Sequence, residues 1–124
     1  MDIRYSICVS ALLLAACTGD SDTAPGDILV YADRGARQCE SDGISPEASA
    51  QTLINAGIDV LLSTCGIRTG IVFPAVCGAG TGDIVVHEIR AVNLPDAEQL
   101  GFRLISTLID AAEGTGYQLV DCAN

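Results

Sequence analysis

From residue 28 onward, apolar positions come in short runs punctuated by glycine, proline and acidic residues. Ile28-Leu29-Val30-Tyr31 is a brief, β-branched run and predicts a buried strand. The polar stretch from Ala32 to Gly43 predicts a loop. Ser45-Pro46-Glu47 then supplies a helix start: serine as the N-cap, proline in the first turn, and an acid where the helix dipole favours negative charge. This helix is expected to run to about Ala56, to turn Ala50, Leu53 and Ile54 to one side, and to stop at Gly57. Ile58 to Ser63 predicts the next strand.

The second half repeats the order. Asp83 to Arg90 predicts a strand, Asn93-Leu94-Pro95-Asp96 opens a short helix through Leu100, Gly101 ends it, and Phe102 to Ser106 predicts another strand. Ala56-Gly57-Ile58 and Leu100-Gly101-Phe102 match in position and type. The predicted body is therefore α+β, a ferredoxin-like split βαβ pattern (β-α-β-β-α-β) with both helices on one face of an antiparallel sheet. Asp110 to Gly116 reads as a loop. Tyr117 to Val120 reads as a fifth strand, expected to return antiparallel to the fourth and cover that sheet edge. Such an architecture carries no activity with it.

The amino-terminal stretch follows other rules. Arg4 precedes the apolar run Ile7 to Ala16, which as a helix spans only about 15 Å, half a bilayer's hydrocarbon core. The run ends in Leu14-Ala15-Ala16-Cys17, which resembles the lipobox of bacterial lipoproteins. The resemblance covers the leader alone. It implies that residues 1–16 are a signal peptide and that Cys17 becomes the first mature residue, anchored to the membrane by its acyl chains. Residues 17–27 would then be the lipidated cysteine and a polar tether, roughly 17 Å long as a flexible coil, and residues 28–124 one domain. Thr18 is not the aspartate that retains lipoproteins at the inner membrane, so the resemblance implies the periplasmic face of the outer membrane. Asp20, Asp22 and Asp27 lack the remaining positions of a calcium loop.

Composition narrows the chemistry. The chain has 124 residues, with 16 acidic against 6 basic and a net charge of −10. That balance excludes a basic nucleic-acid footprint and a polybasic lipid patch. Every basic residue is arginine, so lysine nucleophiles and the P-loop are excluded as well. Cys8 belongs to the leader and Cys17 to the anchor. Cys39, Cys65, Cys77 and Cys122 remain, an even number that in an exported small domain predicts two disulfides. Of the three possible pairings, Cys65–Cys77 is expected because the two flank the loop between the second and third strands, and Cys39–Cys122 because a fifth strand beside the fourth returns Cys122 to the end of the sheet where Cys39 lies. No C-x-x-C spacing points to zinc or to thioredoxin-like chemistry.

Few residues suggest a site. Cys77-Gly78-Ala79-Gly80-Thr81-Gly82-Asp83 precedes a strand instead of opening a helix, so it reads as a loop needing positive φ at several positions and not as a dinucleotide fingerprint. His87, the sole histidine, lies mid-strand, with Glu88 pointing to the opposite face. Ser63, Thr64, Ser106 and Thr107 fall at predicted strand ends without a nucleophile elbow. Arg34 and Arg37 could grip a carboxylate or phosphate, or answer Asp33 and Glu40. Nothing in the sequence calls for a cofactor or a metal. The expected role is a non-catalytic binding or structural accessory module of the cell envelope, whose partners are the membrane, through its anchor, and another envelope protein. The alternatives are a small periplasmic hydrolase using Arg34, Arg37, acids near strand ends and His87, or an acidic binder of divalent cations or small ligands.

Overall fold

The computed structural model describes residues 26–122. The leader and Cys17 lie outside the described residues, as does most of the expected tether; its last residue, Asp27, already opens the first strand. Five antiparallel strands form one open sheet: β1 (Asp27–Asp33), β2 (Val60–Thr69), β3 (Asp83–Arg90), β4 (Arg103–Leu104) and β5 (Gly116–Val120). Their order is β4-β1-β3-β2-β5. Helices α1 (Pro46–Asn55) and α2 (Leu94–Gln99) complete the mixed α/β body.

β3 occupies the centre because both its faces are covered. It pairs with β1 along its whole length, from Asp27↔Arg90 to Asp33↔Ile84, and with β2 on its other side. On one face Val30 and Ile89 pack with Leu53 of α1, Ala97 of α2, Ile58 and Phe102. On the other, Ile84 and Val86 pack with Ile105 and Leu108, bordered by Leu29, Tyr31 and Tyr117. A strand covered on both faces has no polar side to show, hence the unbroken Ile84-Val85-Val86 run.

α1 begins as expected: the Ser45 hydroxyl accepts the Ala48 N–H at 3.1 Å and Pro46 sits in the first turn. It ends at Ala56, and Gly57 takes the left-handed φ of +84° that closes the turn. Its buried stripe is Pro46, Ser49, Ala50 and Leu53, while Ile54 is 49% exposed. The inward face thus lies one step round from the expected one, because the i, i+3, i+4, i+7 rows starting at Pro46 include Ser49.

The fifth strand corrects the expected topology. β4 keeps only two residues, pairing Val30↔Leu104 and Tyr31↔Arg103. The chain then enters a 3-10 turn, Ile105–Leu108, whose i, i+3 residues Ile105 and Leu108 are both buried against Ile84 and Val86. That burial carries the chain across the sheet face opposite the helices. β5 therefore pairs antiparallel with β2 at the far edge, not with β4. β2 is correspondingly longer than expected, running past Ser63 to Thr69. Gly66 suits its place there, since a Cβ would lie 3.0 Å from Ile84 Cγ1.

The cysteine pairing follows the strand order. Val120 lies opposite Cys65, so Cys122 is brought to β2 and the two bond, with Cα atoms 5.0 Å apart. Cys39 and Cys77, in the loops after β1 and before β3, form the other bond, also at 5.0 Å. The expected Cys39–Cys122 pair assumed the other edge for β5, and the expected Cys65–Cys77 pair assumed that Cys65 follows β2, whereas β2 runs on to Thr69 and holds Cys65 within it. Among the described residues no helix is long and apolar enough to cross a membrane.

Candidate functional site

His87 sits on the helix-facing side of β3, opposite Val30 on β1 and Ser63 on β2, and is fully buried. Its Nε2 lies 2.9 Å from Ser49 Oγ on α1, and its Nδ1 lies 2.7 Å from Ser63 Oγ. The ring meets Phe102 edge-on, with centroids 5.7 Å apart. Burial pushes its pKa down from 6.5 to about 4, because the charged ring would lose its hydration. At neutral pH the imidazole is therefore uncharged, donating to one serine from its protonated nitrogen and accepting an O–H from the other.

A serine beside a histidine supplies two members of a hydrolytic triad, but this pair is sealed. Ser49 is 3% exposed, and both ring nitrogens are already taken up by hydroxyls, with no carboxylate bonded to either. The arrangement fastens α1 to β3 and β2. The surface hollow between α2 and β4, ≈ 400 Å³, is lined by Glu98, Gly101, Phe102, Arg103, Leu104 and Thr107, and His87 is not among them. The serine partners escaped the sequence reading. The signal was Ser49 on the stripe of Pro46 and Leu53, four residues ahead of the latter.

Arg34 and Arg37 are found at the end of the sheet where β1 and β2 finish and β3 begins. Two loops, residues 34–45 and 70–82, lie side by side there. Gln38 N–H donates to Ala79 O at 2.9 Å, and Gly78 N–H to Gln38 O at 2.8 Å. Arg37 Nη1 donates to Gly78 O at 3.3 Å and Arg34 Nε to Ile44 O at 2.9 Å. In these bonds the guanidinium groups hold loop carbonyls, and Asp33 instead accepts the Gly35 N–H at 2.6 Å. The Cys39–Cys77 bond locks the two loops together. A Cβ on Gly43, which takes φ +79°, would collide with the Arg34 carbonyl, so the loop closes only around glycine. Within the glycine-rich run, only Gly78 has positive φ among its three glycines. Gly82 serves close approach: a Cβ there would stand 2.8 Å from the Phe73 ring.

Between β2 and this run lies Ile71-Val72-Phe73-Pro74-Ala75-Val76, six consecutive apolar residues in a loop. Phe73 is half-buried against Gly82 and anchors the segment. Val72 is 91% exposed, Val76 63% and Ile71 37%. This is the chemically distinctive surface of the described residues, and the sequence reading missed it. The available signal was composition: a connector with proline but no charge is too apolar to be an ordinary solvated loop.

Among the described residues no group of three His, Cys, Asp or Glu side chains is placed to hold a metal ion. Comparisons with known families, with curated proteins and with solved structures returned no match.

Proposed function

We propose that this chain is an exported, lipid-anchored protein of the cell envelope, and that it works by docking rather than by catalysis. The observation that carries the reading is the bare apolar segment Ile71–Val76, held in shape by an anchored phenylalanine, a loop–loop ladder and a disulfide. Exposed apolar side chains fixed in one conformation bind with little ordering cost. The body that presents them is read as a ferredoxin-like unit extended by a fifth strand, with both helices contributing to one apolar cluster. The disulfides fit an oxidising compartment outside the cytosol.

Placement suggests what the segment meets. β1 begins at Asp27, at the opposite end of the sheet from residues 70–82, and its seven residues alone span about 20 Å. A chain tethered through Cys17 enters at that opposite end. The apolar tip then faces away from the anchoring membrane, toward an apolar groove on another envelope protein.

Intact-mass measurement on protein from its host is expected to show cleavage before Cys17 and an added diacylglycerol. A photo-crosslinker at Val76 is expected to give one discrete protein adduct that Val72→Asp abolishes. An unprocessed chain, or adducts with lipid alone, would overturn the anchor and the partner respectively.

A further inference from the structure

The geometry points to the Cys39–Cys77 bond as a thiol–disulfide exchange site for a dithiol reductant, opened without loss of the sheet. The two disulfides differ in access. Cys39 and Cys77 are both exposed, whereas Cys65 is 2% exposed within β2, between its register partners Val85 and Val120, and Cys122, just past the end of β5, is half-buried. An attacking thiolate must reach a sulfur from the side opposite its partner, so a bond with both sulfurs on surface loops offers two open approaches, while Cys65–Cys122 offers one, at half-buried Cys122.

They differ also in what they hold. Cys65–Cys122 pins β5 to β2. Cys39–Cys77 joins two loops, and β1, β2 and β3 are paired without it. Cys39 carries a φ of 66°, the one left-handed non-glycine among the described residues. That conformation is uncommon for an L-residue, and here it belongs to the tight turn closed by the Arg37–Ser41 backbone bonds. Cutting the bond removes the covalent link at the carboxyl end of the apolar segment, while the 37–41 turn keeps its own Arg37–Ser41 backbone bonds and the two loops keep theirs.

The exchange balances in two steps. One thiolate of the reductant attacks Sγ of Cys39, forms a mixed disulfide and expels Cys77 as a thiolate. The reductant's second thiol attacks its own sulfur in that mixed disulfide and releases Cys39. The protein gains a pair of electrons and, once both thiolates are protonated, a pair of protons; the reductant becomes a disulfide. Arg37 assists, because its bond to Gly78 O holds the guanidinium beside the residue that follows Cys77, where the departing thiolate forms. Glu40 opposes the approach of a thiolate, its carboxylate lying against Gly78.

This inference does not depend on the docking reading, since its first readout is chemical. The oxidised full chain is titrated with dithiothreitol, quenched by alkylation and mapped by mass spectrometry. Cys39 and Cys77 are expected to open about tenfold faster than Cys65 and Cys122, or more, while the far-ultraviolet circular dichroism stays constant. Both pairs opening together, or sheet signal falling in step with Cys39, would overturn it. Arg37→Ala should slow the first opening about threefold and Glu40→Gln should speed it, both effects shrinking at high salt. An unchanged rate in Arg37→Ala removes the arginine from the mechanism. Alkylation in intact cells is expected to trap molecules with free Cys39 and Cys77 but an intact Cys65–Cys122 bond. Finding only doubly oxidised chain, with and without reductant stress, would refute a physiological exchange.

Discussion

β3 carries Ile84, Val85, Val86 and Ile89, and the loop before it carries Ile71, Val72, Phe73 and Val76, yet the strand residues are fully buried and Val72 is 91% exposed. Equal hydrophobicity meets opposite fates because of neighbours. β3 has a paired strand on each side and an apolar cluster over each face. The loop is anchored by Phe73 on Gly82 and held by backbone bonds and a cross-link. In the centre, shape comes from burial. At the tip it comes from stapling, which leaves apolar surface free to meet something else.

That contrast can be broken at its strongest point first. Leu53→Ala empties a fully buried position between α1 and the sheet and is expected to cost about 2–5 kcal/mol in urea unfolding. Next comes pH. His87 titrates at about 4 in the fold against 6.5 in the unfolded chain. The lower folded value means the fold prefers the neutral ring. Its contribution, about 3 kcal/mol, is complete above pH 6.5 and drains away as pH falls toward 4. Unfolding curves of wild type and His87→Leu should therefore converge in that window, with the wild type showing the steeper fall.

Smaller effects probe the tip. Gly82→Ala pushes on the Phe73 ring and should cost about 1–2 kcal/mol while making residues 70–76 more sensitive to protease. Val72→Asp should change stability by less than about 0.5 kcal/mol, since nothing buries that side chain. A large loss in Val72→Asp would mean that the tip belongs to the core after all.

Local chemistry was readable from the chain. The Ser45 cap, Pro46, the Gly57 stop and β3 from Asp83 to Arg90 all appear where their residues predict. What resisted reading depends on distant partners. The fourth strand was expected from Phe102 to Ser106 but yields after Leu104, because Ile105 and Leu108 gain more by covering Ile84 and Val86 than by extending the edge. That turn sends β5 to the other side of the sheet, and the cysteine partners change with it. The inward turn of Ser49 is equally non-local, since its reason is an imidazole 38 positions away. The apolar tip was legible in composition, as an uncharged connector, but local pattern alone does not say whether such a run is covered.

The cysteine connectivity has one more outcome. The bridges interleave along the chain, 39 with 77 and 65 with 122, so neither loop encloses the other. A single backbone cut anywhere from Cys39 to Cys122 therefore severs nothing completely. Whichever bond is hydrolysed, at least one bridge still spans the nick and the fragments stay joined. A protease acting on the exposed tip would leave a nicked but covalently whole molecule, recognisable as one band without reductant and two with it.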